Sequence, residues 1–246
     1  MHDHLRYADR AWLHRGDAQE GRQAVYRRSI AEENAVALAS GIAANGGKPV
    51  YGVYSTFIQR AYDQISQDLC INSNAATIIV AWGSVYGMND VTHLGLYDIP
   101  MLANIPNLVY LAPTTKEEYL AMLDWSIEQN EHPVAIRMPG GALVSSGKAV
   151  TRDFGRLNTY EIKEEGAKVA VIGLGSFYPL GEQAAALIKE KTGVQRLLST
   201  RTISPAWILT CSRASRRITT WSSPLRTAYS TAALERRSRV FTVIPT

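Results

Sequence analysis

Four short apolar runs, Val50 to Tyr54, Ala76 to Ala81, Leu108 to Leu111 and Val134 to Met138, recur along the chain with helix-forming stretches between them. Apolar runs of this length, without polar alternation, suit strands buried on both faces. Strands that are separated by crossover helices lie parallel. The expected fold is α/β, a three-layer parallel sheet. Ala35 to Ala44 is a small-residue helix closed by Asn45-Gly46-Gly47, a C-cap signal. Ser55-Thr56 is placed to cap a helix from Phe57 to about Ile71, with Phe57, Ala61, Ile65 and Leu69 on one face. Thr114-Thr115-Lys116-Glu117 reads as a capping box opening a helix that turns Tyr119, Leu123 and Ile127 inward. After a linker, Gly140 to Thr159, a second α/β unit starts with a strand at Lys168 to Gly175 and a helix from about Leu180 to Lys191. Gly173 and Gly175 resemble half of a dinucleotide-binding turn, but Tyr178 stands where a third glycine is needed.

Composition removes several classes. The chain has no apolar run long enough to span a membrane, and Met1 to Arg15 has no apolar core behind a basic start. A cytoplasmic protein is expected. Cys70 and Cys211 are too few for a disulfide framework or a zinc site, and Cys70 reads as ordinary core. Charge is unevenly distributed. Residues 29–195 carry 11 Lys+Arg against 17 Asp+Glu and hold all seven lysines. Residues 196–246 carry nine Arg and one acid, Glu235; residues 1–28 carry six Arg and four acids. A nucleic-acid arm mixes Lys with Arg and interleaves aromatics, so no nucleic-acid partner is expected.

Arginine without lysine, among many Ser and Thr, is the signature of a GC-rich gene read out of frame. Shifting the codons of Trp221 to Pro245 permits the string VVTLEDGILDGGFGEKIARFYGHSD. The other shift over Ala24 to Arg28 permits QFIDV, which joins directly to Ile30 to Asn34. On this reading 1–28 and 196–246 are out-of-frame segments; a family-specific basic tail is the alternative.

The stretches IAEENAVALASGIA, Ile30 to Ala43, and KPVYGVYSTFIQRAYDQISQDL, Lys48 to Leu69, resemble the pyrimidine-binding domain of the transketolase and 1-deoxy-D-xylulose-5-phosphate synthase family. THLGLYDIPMLANIPNLVYLAPTTKEE, Thr92 to Glu118, continues the likeness, and the shifted VTLEDG string resembles a strand and turn of the family's C-terminal domain. The resemblance implies a domain order of pyrimidine-binding domain at 29–141, linker at 142–160 and start of the C-terminal domain at 161–195. It also implies a thiamine-diphosphate-binding fold whose second α/β domain is incomplete.

Implied with it is a chemistry, two-carbon ketol or acyl transfer through a cofactor ylide. Glu32 matches the acid that hydrogen-bonds the aminopyrimidine ring nitrogen; spacing alone would leave it a solvated first-turn glutamate. His93 matches the THxG histidine that exchanges protons with substrate. Arg137 matches an arginine of the VRYPRG segment that binds the substrate phosphate. Tyr62 is a cofactor-facing candidate from the signature helix, beside Asp63 and Gln64. Ile78 stands where the family's ring-stacking aromatic is expected. Trp82 replaces a phosphate-binding arginine, Gly140 the second arginine of the segment, and Asn34 a histidine. Fold and cofactor therefore carry over better than substrate.

No GDG…N motif for Mg²⁺ occurs, so the diphosphate and its metal are expected on a separate domain, on another chain or in a missing N-terminal region. The strand before Glu32 and most of the last domain are missing as well. The expectation is a synthase-like fragment, inactive alone, acting on pyruvate or a small sugar phosphate as part of a homodimer or heterotetramer. The C-terminal section of a split transketolase and a non-catalytic remnant of a frameshifted gene are the alternatives.

Overall fold

Strands whose two faces both carry apolar side chains need a helical layer on each side, and that requirement organises the first unit. The computed structural model describes residues 30–83, 91–141, 143–157, 159–166, 169–195, 197–201 and 243–245. Most of the flanks read as out of frame lies outside them. Strands β1 (Val50–Tyr54), β2 (Thr77–Ala81), β3 (Val109–Leu111) and β4 (Val134–Arg137) form an all-parallel sheet in the order β1-β2-β4-β3. Their side chains divide between two cores. Tyr51, Val53, Ile78, Val80, Tyr110 and Ala135 face one layer; Ile79, Val109, Leu111, Val134 and Ile136 face the other. The expected three-layer parallel α/β architecture is therefore present.

The first layer holds α1 (Glu32–Ala44), the composite helix α2 (57–70) and α3 (Asp98–Leu102). Helix α1 begins a turn earlier than the Ala35 start read from sequence, and this places Glu32 on its buried face with Ala35, Val36 and Ala39 while Glu33 and Asn34 point outward. Helix α2 is not a regular helix. It runs as a 3₁₀ turn at Phe57–Ala61, an α turn at Tyr62–Gln64 and π turns at Ile65–Cys70. The changes of winding bring Ile58, Ala61, Ile65, Leu69 and Cys70 inward and leave Phe57 only half-buried. Such irregular winding is common at functional segments. The expected cap is absent: Thr56 makes no side-chain cap, and the Ser55 hydroxyl donates to the Trp82 carbonyl at 2.9 Å. Cys70 is core, and burial pushes its thiol up to about 12.

Helix α4 (Lys116–Glu128) covers the second face, shifted by one residue from the sequence reading. The Thr115 hydroxyl accepts from Glu118 N, and the Glu118 carboxylate reaches back to Thr114 N at 2.7 Å and its hydroxyl at 2.8 Å. The buried stripe is consequently Glu118, Met122 and Ser126, with Tyr119 and Leu123 at its edge, and Thr77 donates to the Ser126 hydroxyl at 3.0 Å.

Residues 143–157 pack on this helix. Phe154 is buried against Trp125, and the Glu117 carboxylate accepts from the Ser145 hydroxyl, Ser146 N at 2.9 Å and Gly147 N at 3.3 Å. The Ser145 hydroxyl first, then the Ser146 amide, pull the Glu117 carboxyl down to about 2. A depressed carboxyl favours the folded arrangement above its ordinary range and loses that contribution as pH falls through its folded value. Amide exchange at Ser146 and Gly147 should therefore stay slow down to pH about 4 and accelerate towards pH about 2. Glu117→Gln should give fast exchange at neutral pH.

The second unit contains β5 (Tyr160–Glu164), β6 (Val169–Gly173), α5 (Tyr178–Thr192), β7 (Leu197–Arg201) and β8 (Val243–Pro245), in the sheet order β5-β7-β6-β8. Only the β6 and β7 pair is parallel. Strand β5 was not read from the sequence, which placed the first strand of the second unit at Lys168 to Gly175. A side chain on Gly173 would come within 2.8 Å of the Tyr178 backbone, so this glycine serves the close approach of α5 to β6 rather than a dinucleotide. Among the described residues no helix is long and apolar enough to cross a membrane.

Candidate active site

Parallel sheets present their ligand-binding edge at the carboxyl ends of the strands, where chain leaves the sheet in loops free to carry chemistry. Here β1 ends at Tyr54, β2 at Ala81 and β4 at Arg137. Four rings collect at that edge. The Tyr54 and Trp82 centroids lie 4.6 Å apart, and His93 meets Phe57 at 5.2 Å, Tyr54 at 5.6 Å and Trp82 at 6.0 Å, each edge to face. His93 arrives on a 3₁₀ turn, Val91–His93, and its Nδ1 lies 2.8 Å from the Thr92 hydroxyl. Tyr54 is buried, whereas Phe57, Trp82 and His93 are half-buried and so present part of their surface outward.

Trp82 has φ +57°, a left-handed conformation that is a true outlier for a bulky residue. It is held there by bonds on both sides: Ser55 N donates to the Ala81 carbonyl at 2.7 Å, the Ser55 hydroxyl takes the Trp82 carbonyl, and Gly83 N donates to Met138 O at 2.8 Å. Gly83 itself has no alternative residue. A Cβ there would sit 2.5 Å from the Arg137 Cγ.

Arg60 links the rings to the acid. Its guanidinium lies 5.4 Å from the Phe57 centroid, and Nη1 donates to Glu32 Oε2 at 3.3 Å. Glu32 is only 5 % exposed, in the first turn of α1, where unpaired amides and the helix dipole favour a negative charge. Glu32, Arg60, Phe57 and His93 thus form one continuous chain of contacts.

Two expected site residues are enclosed in this structure. Ile78 is 1 % exposed in the middle of the main core, four residues before Trp82 along the strand, and has no face to offer a ligand. The aromatic at this edge is Phe57, legible as the fourth residue of the Tyr-Ser-Thr-Phe segment but read there as a helix-face residue. Arg137 is buried, its Nε bonded to Asp98 Oδ2 at 2.6 Å and its Nη2 to Asp98 Oδ1 at 3.3 Å and Gly95 O at 3.2 Å. Engaged in this way it holds α3 to the sheet. The Tyr110 hydroxyl completes the cluster at 2.5 Å from Asp98 Oδ2. Burial, then the Asp98 charge, hold that phenol well above its ordinary range. Tyr62 lies on the exposed side of α2, 38 % exposed. Sequence reading missed Tyr54, Arg60 and Asp98 altogether.

Comparison with known proteins agrees with this geometry. The family model described as transketolase, pyrimidine binding domain, matches residues 7–144, a span that begins inside the N-terminal flank. The 1-deoxy-D-xylulose-5-phosphate synthase of Clostridium acetobutylicum is 40 % identical over 147 residues, 59 % of this chain and 23 % of that protein. The synthase of Natranaerobius thermophilus is 35 % identical over 190 residues, 76 % of this chain and 30 % of that protein. The chain thus spans less than a third of the length of these curated relatives. A solved structure, a split-gene transketolase described as an inactive beta4 tetramer, superposes with a TM-score of 0.64 at 21 % identity, covering 79 % of this chain and 62 % of that one, and shares its fold. With its parallel sheet, its matched span and its buried first-turn acid, the chain belongs to the transketolase pyrimidine-binding-domain family of thiamine-diphosphate proteins.

Proposed function

We propose that this chain supplies the pyrimidine-activating half of a 1-deoxy-D-xylulose-5-phosphate synthase-like transferase and cannot turn over substrate alone. The observation that carries the reading is Glu32, a carboxylate buried at a helix start and bonded to Arg60 beside the exposed face of Phe57. The residues fit an aminopyrimidine. Glu32 would hold a proton at the ring nitrogen, and Phe57 would take the ring face. Gln64 Oε1 on α2, against α1, is a buried acceptor without a donor among the described residues and suits an amino group. When bound, the cofactor supplies the electron sink for making and breaking bonds beside a carbonyl. His93, at the same edge, would exchange a proton with the substrate oxygen.

The diphosphate and Mg²⁺ would be held by a second domain, on another chain or an absent N-terminal region, in a homodimer or heterotetramer in the cytoplasm. The split-gene neighbour makes the C-terminal section of a split transketolase the second reading. The domain limits at 29–141, 142–160 and 161–195, with out-of-frame flanks, belong to the same proposal. Sequencing the coding DNA through the Arg28 and Gln195 junctions tests the flanks: rejoined frames restore both domains, and an unchanged frame leaves a remnant. The functional test mixes the full chain with a diphosphate-binding chain of the same source. Thiamine-diphosphate-dependent consumption of pyruvate should require both, and turnover by either alone would sink the proposal.

A further inference from the structure

Among the described residues, the edge that carries His93 is aromatic and the arginines nearest it are paired with carboxylates. Residues 61–115 contain no Lys or Arg at all, so the segment from α2 through β2, the His93 turn and β3 contributes no positive charge. Around that segment Arg60 is paired with Glu32 and Arg137 with Asp98, while Lys116, which closes it, is exposed at the start of α4 beyond β3, at the far end of the sheet from β1. In their place stand Tyr54, Phe57 and Trp82, three ring systems around His93. Aromatic faces carry the negative end of the ring quadrupole, and a phosphate brought against them would be desolvated without a counter-charge. An uncharged carbonyl compound with an apolar body loses little hydration there and gains ring contact.

Trp82 is the centre of this arrangement. A bulky residue in the left-handed region is strained and persists where its surroundings over-determine it. The Ser55 bonds and the Gly83 to Met138 bond do so here, aiming the indole onto Tyr54 and His93. A glycine at this position would relax the backbone, so the side chain is kept for what it touches.

We propose that Trp82, with Tyr54 and Phe57, forms an acceptor subsite for an uncharged, apolar aldehyde or ketone in place of a phosphorylated sugar. The inference rests on the transferase reading for its link to catalysis, and on ring packing and charge alone for its chemistry.

The test titrates the full chain with 4-fluorobenzaldehyde, followed by its fluorine signal, and separately with glyceraldehyde 3-phosphate, followed by its phosphorus signal. Thiamine diphosphate is titrated, with Mg²⁺, into the same preparations mixed with the diphosphate-binding chain. Wild type should favour the aromatic aldehyde by about tenfold or more. Trp82→Gly, which relieves the positive φ and should unfold no earlier than wild type, should lose that binding. Trp82→Arg should gain affinity for the phosphate ester by about tenfold. Tighter binding of the phosphate ester by wild type, equal binding of the two probes, or undiminished aldehyde binding by Trp82→Gly would each overturn the proposal. Aldehyde preference without thiamine diphosphate binding would keep the apolar subsite and remove its role as acceptor site. Thiamine diphosphate binding without aldehyde preference would remove the subsite and leave the cofactor reading standing.

Discussion

Asp98→Ala is expected to destabilise the first unit by about 3–5 kcal/mol, the cost of stranding a buried charge. The Asp98 side chain is fully enclosed and receives three hydrogen bonds, two from Arg137 and one from Tyr110. Removing it leaves a guanidinium that is 8 % exposed with no counter-ion and a phenol that is 0 % exposed with no acceptor. Coulomb attraction does not set the size of the loss; the desolvation of the groups left behind does. The control is therefore the double replacement Asp98→Leu with Arg137→Met, which removes both charges and fills the space. It should recover most of the lost stability, because apolar pairs of similar volume replace buried ion pairs at little cost. Denaturant midpoints of wild type and the two variants decide the matter. A loss below about 1 kcal/mol in Asp98→Ala would mean that the guanidinium finds water, and that the cluster does not lock α3 to the sheet. The consequence reaches the site. Helix α3 follows the turn carrying His93, so loosening it should also disorder the ring cluster and show as altered near-ultraviolet dichroism.

The sequence made the sheet legible because its strands are buried on both faces and therefore apolar without interruption, and the four runs match β1 to β4 to within a residue or two. It also made Glu32 legible, through the run of residues around it. What it hid depends on long-range pairing. Asp98 sits in Tyr97-Asp98-Ile99-Pro100, a stretch that reads as loop, and its burial exists only once Arg137, 39 residues later, folds over it. The same contact engages Arg137, the expected phosphate ligand, with Asp98. Phe57 and Ile78 were exchanged in role for a local reason. A regular helix from Phe57 would point that ring into the core, and only the 3₁₀ start of α2 frees it. Trp82 was read as a lost arginine, but its left-handed backbone leaves no mark in composition or spacing. Strand β5 was missed because Tyr160–Glu164 alternates charges on a partly solvated sheet, where apolar content no longer reports strand.

Glu32→Gln carries the largest expected effect on chemistry. The substitution keeps the length of the side chain and a carbonyl oxygen for Arg60 Nη1, now 3.3 Å from Glu32 Oε2, but removes the group that can hold or release a proton at the pyrimidine nitrogen. Placed acids and bases contribute about 10²–10⁴-fold to rate, so turnover in the assembled enzyme should fall by that factor. Affinity for thiamine diphosphate should change by less than about tenfold, since on the proposed reading the charged diphosphate and its metal would be held by a second domain that the substitution does not touch. The split between rate and affinity separates this role from a structural one. If Glu32 only anchored α1 to Arg60, Arg60→Met would be as damaging as Glu32→Gln, and both would lower the unfolding midpoint. A proton-holding role predicts that Arg60→Met keeps the greater part of the exchange rate at the cofactor's reactive carbon while Glu32→Gln abolishes it. The buried position sharpens the contrast. At 5 % exposure no solvent water can stand in for the missing carboxyl, so a Glu32→Gln enzyme with near-normal turnover would refute the assignment of this residue and of the site built around it.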